Sequence, residues 1–521
     1  MTKEHRTTEL FVPENTPVGQ YFSYHTRTAK NLKNSGLFLQ RNVMTAMGKR
    51  GDIRTDNEKE VIARLEKIWP QYRKTAIRNL ADTLVHNHNL TEKERMDKTL
   101  LMRSLIKKDH PVSPGKWFLH YELLDAIFKQ EDDENYRALH SHVAQNILSE
   151  IAESFQSFFA AIKAYKENPK AFTGRPNLPG YLAKNGRSTI TYSSGDVKIV
   201  EKGKKRYLSF PCPRSAGRAF VPTIEIGDDF LAGKEKVGEV KVKPVGNGFK
   251  VLIDHVIEVP KTVKDNGRYL GVDLGLENLV TIASNVEGVR PLIVGGREIK
   301  SVNQYFNKML AQFRSQLPKG TYSSHAIYDL LSKREHQLKG MLNAAAHIVT
   351  DYAVAYDISR VVIGKNHRWK DDFKAFKKVK QSFMFVPFNN LIDSIKYACQ
   401  ERGIEVIVCE ESYTSQASLI DGDVIPTWDG EHHPEYKFSG KRFKRGLYRA
   451  GDGRLLNADV NGAGNILRKW NTNAFNDVED YTYLMNPFKV KILKSGEFSL
   501  PGGSDVVGSG RVGPIWRSLA S

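Results

Sequence analysis

An aspartate inside an apolar strand is the tightest constraint this sequence carries. From Tyr269 it reads YLGVDLGLENLVTIAS: an apolar run containing Asp273, a glycine, then a second apolar run from Leu279. An ionised carboxylate is costly to bury unless it is paired, hydrogen-bonded or bound to a metal. A fold that begins this way must supply Asp273 with partners. Strands are expected at YLGVDLG, LVTIAS and PLIVGG, followed by a long helical stretch containing IYDLLSKREHQLKGMLNAAAHIVTDYAVAY. Strand RVVIG, helix FNNLIDSIKYACQERG and strand IEVIVCEE come next. In that last helix Phe388, Leu391, Ile392, Ile395 and Cys399 form one apolar face, and Gly403 is a fitting C-terminal stop. A final helix is expected near Asp459 in NADVNGAGNILRKW.

Three strands, a helix, a strand, a helix and a strand is the order of a ribonuclease H-like domain. Nucleases of this kind cleave phosphodiesters with two divalent ions about 4 Å apart. Hard oxygen ligands and an octahedral ion such as Mg²⁺, or Mn²⁺, suit that chemistry. It calls for about three acids converging from different elements. Asp273 fits the first. Asp459 fits the last, at the positive end of a helix dipole. The middle acid is displaced: the fourth strand reads SRVVIGKNHRWK, with Gly364 at the expected place. The fifth strand ends in VIVCEESYTSQAS, with Glu410 and Glu411. Neighbouring strands lie about 4.8 Å apart, so a glutamate one strand out can lean across, and a glycine at 364 leaves room. Adjacent strand residues face opposite ways. This reading favours Glu411, with Glu410 as the alternative middle acid.

Upstream the texture differs. Residues 1–25 read as one strand. From there to about 170 the pattern is helical, with a stripe of Val143, Ile147, Ile151, Phe155, Phe158, Ile162 and Tyr165. A second stripe, Ile62, Leu65 and Trp69, is expected to stop at Pro70. FTGRPNLPGYLAKNGRSTITY ends the helices, and the runs STITYS, VKIV, RYLSF, KVGEVKVKPV and GFKVLIDHVIEV read as an antiparallel barrel or small sheet. Lys plus Arg exceed Asp plus Glu by 78 − 59 = 19 along the 521 residues, an excess that suggests a polyanionic partner. Cys212, Cys399 and Cys409 form no CxxC pair, which leaves neither a disulfide framework nor a four-cysteine zinc site. No apolar run reaches about 18 residues, so no membrane span is expected. MTKEHRTTELFVPENTPVG lacks a signal-peptide core, which predicts a cytoplasmic protein.

GVDLGLENLVTIAS, VVIGKNHRWK, YTSQAS, KFSGKRFKRGLYR and NADVNGAGNILRK, in this order, resemble the TnpB (OrfB) family of transposon-encoded proteins, relatives of type V CRISPR effectors and Fanzor proteins. HVAQNILSEIAESFQSFFAAIKAY with FTGRPNLPGYLAKNGR extends the resemblance over most of residues 110–470. The family implies an RNA-guided DNA endonuclease that binds a guide RNA and target DNA. The fold it implies is α+β and multidomain. An N-terminal wedge β-barrel (1–25 and 176–265) holds an inserted helical recognition lobe (26–175). A split RuvC domain (266–418 and 456–493) carries a small insert (419–455), and a Gly- and Ser-rich tail (494–521) is expected to be flexible. Asp273 matches the first RuvC acid and Asp459 the third. A subset of the family, and Fanzor proteins, use a displaced glutamate just before the YTS motif, a place Glu411 occupies.

Many family members carry a four-cysteine zinc ribbon between YTSQ and the last motif, yet residues 417–456 contain no cysteine. His432 and His433 are adjacent and poorly placed to share an ion, so no zinc is expected. Lys441, Arg442, Lys444, Arg445 and Arg449, interleaved with Phe443 and Tyr448, suit phosphate contact and base stacking. A monomer is favoured. Three other readings compete. An actin-like ATPase shares the DxG turn but would need a second phosphate loop, and LIVGGRE comes too early. A nuclease-dead RNA-guided repressor draws support from Gly364. A DNA strand-transfer transposase would use the same metal chemistry.

Overall fold

The computed structural model describes residues 2–107, 119–213, 221–227, 237–365, 386–428, 436–444, 446–495, 497–499 and 506–507. The chain folds as two compact units, His5–Val256 and Ile257–Ser521 with Met1–Glu4. No helix among the described residues is long and apolar enough to cross a membrane.

Strand β1 (Thr2–Pro13), most of it in the first unit, leads into α1 (Pro17–Met47). The Thr16 hydroxyl accepts from the Gly19 amide at 3.0 Å, and Pro17 occupies the first turn, where no amide donor is needed. α2 (Asp56–His86) opens with a capping box in which Thr55 and Glu58 exchange hydrogen bonds. The expected break at Pro70 does not occur. The helix forfeits a backbone bond there, but Val61, Leu65, Ile68 and Trp69 bury one face and hold it in line. α3 (Glu92–Lys107), α4 (Tyr121–Gln130) and α5 (Glu134–Arg137) precede α6 (Ser141–Glu167). The α6 stripe is buried from Val143 to Phe155, whereas Phe158, Ile162 and Tyr165 are half-buried.

Six strands follow: β2 (Ile190–Tyr192), β3 (Lys198–Lys202), β4 (Lys205–Ser209), β5 (Thr223–Ile226), β6 (Val240–Val245) and β7 (Gly248–Val259). They form a four-stranded sheet in the order β1-β7-β6-β2 and a three-stranded sheet in the order β3-β4-β5. The expected barrel is therefore corrected: among the described residues both sheets are open, and no closed barrel is found. Closure needs every strand paired on both edges; here β1, β2, β3 and β5 each end a sheet.

The second unit contains β8 (Tyr269–Leu274), β9 (Asn278–Ser284) and β10 (Leu292–Gly295). The long helical stretch divides into α7 (Arg297–Ser315) and α8 (His325–Ala355). β11 (Arg360–Lys365), α9 (Phe388–Gln400) and β12 (Glu405–Glu410) come next. A small antiparallel sheet, β13 (Lys441–Lys444), β14 (Leu447–Arg449) and β15 (Leu455–Asn457), leads into α10 (Ala458–Trp470). β16 (Phe488–Ile492), β17 (Phe498–Ser499) and β18 (Val506–Val507) close the main sheet, whose order is β12-β11-β8-β9-β10-β16-β17-β18. β17 and β18 lie within the expected flexible tail, most of which is outside the described residues.

Alternation along β8 sets up the site. Leu270, Val272 and Leu274 join the core shared with α8 and α9. Tyr269 joins the other core, with Val460, Ala463, Ile466 and Leu467 of α10. With a period of two, Asp273 shares the α10 face. Gly271 lies on that face too: a Cβ there would stand 2.0 Å from the Ala463 carbonyl oxygen, so only glycine lets α10 approach this closely.

Candidate active site

Asp273 keeps part of its surface accessible, yet protein atoms crowd its carboxylate. Burial, reinforced by the like charges of Glu411 and Asp459, pushes the Asp273 carboxyl well above the usual range, and the Arg442 cation opposes this. Glu411, just after β12, and Asp459, in the first turn of α10, thus both act on Asp273 of β8. Gly462 of α10 makes room for Asp273: a Cβ there would lie 3.0 Å from Asp273 Oδ2.

Asp459 is held on both sides. The Asn457 side chain caps α10, accepting from the Asp459 amide at 2.9 Å and the Val460 amide at 3.2 Å. Asn278 Nδ2 donates to Asp459 Oδ2 at 2.6 Å, and Arg442 donates to Oδ1 at 3.3 Å. Glu411 projects toward β11. A Cβ on Gly364 would stand 2.9 Å from Glu411 Oε2 and 2.5 Å from Ile466 Cδ1, so the space an acid at 364 would need is already filled. Glu410 turns the other way. Its carboxylate accepts from Lys469 Nζ, from the Ser412 amide at 2.6 Å and from the Ser412 hydroxyl at 2.8 Å. Burial works to raise the Glu410 pKa, but the Lys469 and Ser412 bonds outweigh it and hold the carboxyl below its usual value.

The loop that carries Glu411 is fastened to α10 by two buried asparagines that the sequence reading did not single out. Asn461 Oδ1 accepts from the Leu419 amide at 3.0 Å, and its Nδ2 donates to the Ala417 carbonyl at 2.8 Å. Asn465 Nδ2 donates to the carbonyls of Thr414 at 2.9 Å and Ala417 at 2.7 Å. The signal was present: two asparagines four apart on a helix face, opposite the polar run YTSQAS.

The basic insert divides. Lys441, Arg442, Phe443 and Lys444 are exposed on β13, and the Arg449 guanidinium lies 3.9 Å above the Phe443 ring. Tyr448 departs from the expectation of a stacking surface. It is fully buried, with its hydroxyl donating to the Gln416 carbonyl at 2.7 Å, because it is the core of this small sheet with Leu456 and Ala458. Arg445, His432 and His433 lie outside the described residues.

Oxygen-only ligands on Asp273, Glu411 and Asp459 are the donor set that hard divalent cations prefer. The three do not meet as a one-ion cluster. Among the described residues the trio whose ligand atoms all lie within 4.8 Å of one another is His140, His142 and Asp196.

Two protein families match the second unit and the end of β7. The OrfB_IS605 family, described as a probable transposase, matches residues 252–370, and the Cas12f1-like TNB domain matches residues 388–466. The CRISPR-associated endodeoxyribonuclease Cas12f1 of Syntrophomonas palmitatica is 25% identical over 247 residues, 45% of this chain and 48% of that protein. The match thus spans about half of that relative's length. A Cas12f1–sgRNA–target DNA complex overlays 89% of this chain and 98% of its own, with 13% identity and a TM-score of 0.43. The C2c1 protein of Alicyclobacillus acidoterrestris bound to single-guide RNA overlays 80% of this chain and 71% of its own, with 10% identity and a TM-score of 0.33.

Proposed function

We propose that the chain, whose matches to the OrfB_IS605 and Cas12f1-like TNB families support a TnpB-like assignment, is an RNA-guided DNA endonuclease. It pairs a bound guide RNA with target DNA beside a short flanking motif and cleaves phosphodiesters at Asp273, Glu411 and Asp459. The observation that carries this reading is a buried Asp273 carboxyl, raised by its burial and further by the like charges of Glu411 and Asp459, on a face where Gly462 and Gly364 make room for carboxylates. Like charges held together by a fold are the mark of a cation site. The sheet order β12-β11-β8-β9-β10, with β12, β11 and β8 parallel and β8, β9 and β10 antiparallel, supports the RuvC-type reading.

Asp273, Glu411 and Asp459 would hold Mg²⁺ or Mn²⁺, which would supply charge stabilisation for the attacking and leaving oxygens of a phosphodiester displacement. Asp273 feels the charges of both other acids and is the residue suited to a shared, central role. Asn278 orients the Asp459 carboxylate through a donated bond to Oδ2, while Arg442 donates to Oδ1, and each oxygen keeps a lone pair for a cation. Gly364 leaves Glu411 the room to lean across β11. Arg442, Lys441 and Lys444 supply cations to DNA phosphates, and Arg449 on Phe443 presents a planar surface for a base or sugar. Residues 26–175 and 176–265 are assigned to holding the guide–target duplex and the flanking motif, with sequence read by base pairing.

The description of the 252–370 match as a probable transposase favours strand transfer as a second reading. RNA that co-purifies with the protein is sequenced, and a plasmid bearing the matching target is incubated with the complex and Mg²⁺. Linear plasmid with hydrolysed ends is expected. Joined strands would favour transfer, and bound but uncut plasmid would favour a nuclease-dead binder.

A further inference from the structure

We propose that His140, His142 and Asp196 form a binding site for a zinc-class divalent ion, fastening the start of α6 to the turn before β3. Two histidines from the start of α6 and an aspartate 54 residues on converge. His142 Nδ1 lies 2.7 Å from Asp196 Oδ1, and His140 Nδ1 lies 3.8 Å from Asp196 Oδ2. The two imidazoles meet edge to face, 5.3 Å between centroids. One ligand atom from each residue lies within 4.8 Å of the other two. Ligands of a tetrahedral zinc ion stand about 3.4 Å apart, given bonds of about 2.1 Å. The set therefore closes on an ion by side-chain rotation, without backbone movement.

Local backbone geometry explains the convergence. Side chains two apart on a helix do not share a face. His140 escapes that rule because it is the N-cap, with φ −59° and ψ 140°, so its side chain leaves the helical path. Asp196 ends a tight turn made possible by Gly195, whose φ of +85° favours glycine. The Asp196 amide donates to the Ser193 carbonyl at 3.0 Å, and the Ser193 amide donates to Asp196 Oδ2 at 2.8 Å. The carboxylate is thus fixed in direction while keeping lone pairs for a cation. Side-chain exposures of 21% for His140, 50% for His142 and 10% for Asp196 leave an entry for an ion from solvent.

The ligand chemistry sets the class of ion. Two imidazoles and one carboxylate with a fourth position open to water suit Zn²⁺ or Co²⁺, and do not suit Mg²⁺, which prefers all-oxygen shells. The expectation of no zinc rested on missing cysteines and on the insert after YTSQ. Neither bears on this trio.

The test uses the full chain, stripped with a chelator and titrated calorimetrically with Zn²⁺ in excess Mg²⁺, which keeps the carboxylate site filled. Co²⁺ is titrated in parallel and followed by its visible absorption. One Zn²⁺ per chain is expected, with the intense Co²⁺ band of a four-coordinate site and a rise in melting temperature on zinc addition. His142→Ala and Asp196→Asn should each weaken Zn²⁺ binding by roughly tenfold or more and abolish the band. Asp196→Asn still accepts the Ser193 amide, so the turn is kept and a loss is not misfolding. His86→Ala, an exposed histidine elsewhere, should change nothing. Equal zinc affinity in wild type and both variants, or no one-to-one binding by the wild type, would overturn the proposal.

Discussion

Lys469 of α10 reaches the Glu410 carboxylate, the Ser412 carbonyl at 2.7 Å and hydroxyl at 2.8 Å, and the Pro426 carbonyl at 3.1 Å. Only 8% of its side chain is exposed. Glu410 is therefore tied into structure, and its neighbour Glu411 is the acid that acts on Asp273. Glu410→Gln should leave a buried ammonium short of its counter-charge and cost about 1–3 kcal/mol, read as a lower melting temperature. Cleavage should stay close to wild type. Glu411→Gln should show the reverse: unchanged melting, DNA binding retained, and cleavage reduced on the order of 10²-fold or more. Exchange of these two patterns would put the register wrong by one residue. At this scale the positions of Asp273 and Asp459 were legible, because one interrupts an apolar strand and the other opens a helix, and the fold brings the two carboxylates into interaction. The choice between Glu410 and Glu411 was only half legible. Strand alternation says that they diverge, but the partner that claims Glu410 lies 59 residues away. Tyr448 misled for the same reason: a tyrosine among arginines reads as a surface, until a three-stranded sheet closes over it.

α10 is the element on which the site depends, since it carries Asp459, Lys469 and the two asparagines that clamp the loop after β12. Asn465→Ala strips the buried Thr414 and Ala417 carbonyls of a donor and should cost about 1–3 kcal/mol. It should also lower cleavage without touching an acid, because Thr414 is bonded to the Glu411 carbonyl at 2.8 Å. Melting and cleavage measured together check both. In α1 the test is one of pH. Burial pulls the His25 pKa down to about 4 from 6.5. Between those values the unfolded chain binds the proton and the folded chain does not, so stability rises with pH across the window and falls as pH drops toward 4. The change from this one group is about 3 kcal/mol. His25→Phe should flatten the denaturation midpoint between pH 4 and 6.5 if His25 is its source, and an unchanged slope would reject this. Strands and helices with clean periodicity were legible, β7 to its ends. The barrel was not, because pairing partners are set by packing rather than by the strands themselves. Pro70 was misread because local propensity yields to a buried face.

The charge of the whole chain makes its own prediction. An excess of 19 positive charges implies that RNA binding releases many counterions, with a log–log salt slope of about −4 or steeper if six or more phosphates are contacted. A shallow slope in filter-binding titrations would argue against a guide RNA as the main partner. At this scale fold class was readable from the order of textures: helices, then basic strands, then alternating α and β. What could not be read were the open edges of the first unit's sheets and the convergence of His140 and His142 on Asp196, which depends on one capping residue and one glycine turn. The central claim is that a guide RNA directs cutting at the carboxylates of the second unit. It is tested most directly by comparing wild type with Asp273→Ala, each bound to its co-purified RNA, on a target-bearing plasmid in Mg²⁺. The account predicts linear plasmid from the wild type alone, with equal plasmid binding by both. Cutting by the Asp273→Ala protein at the wild-type rate would contradict it.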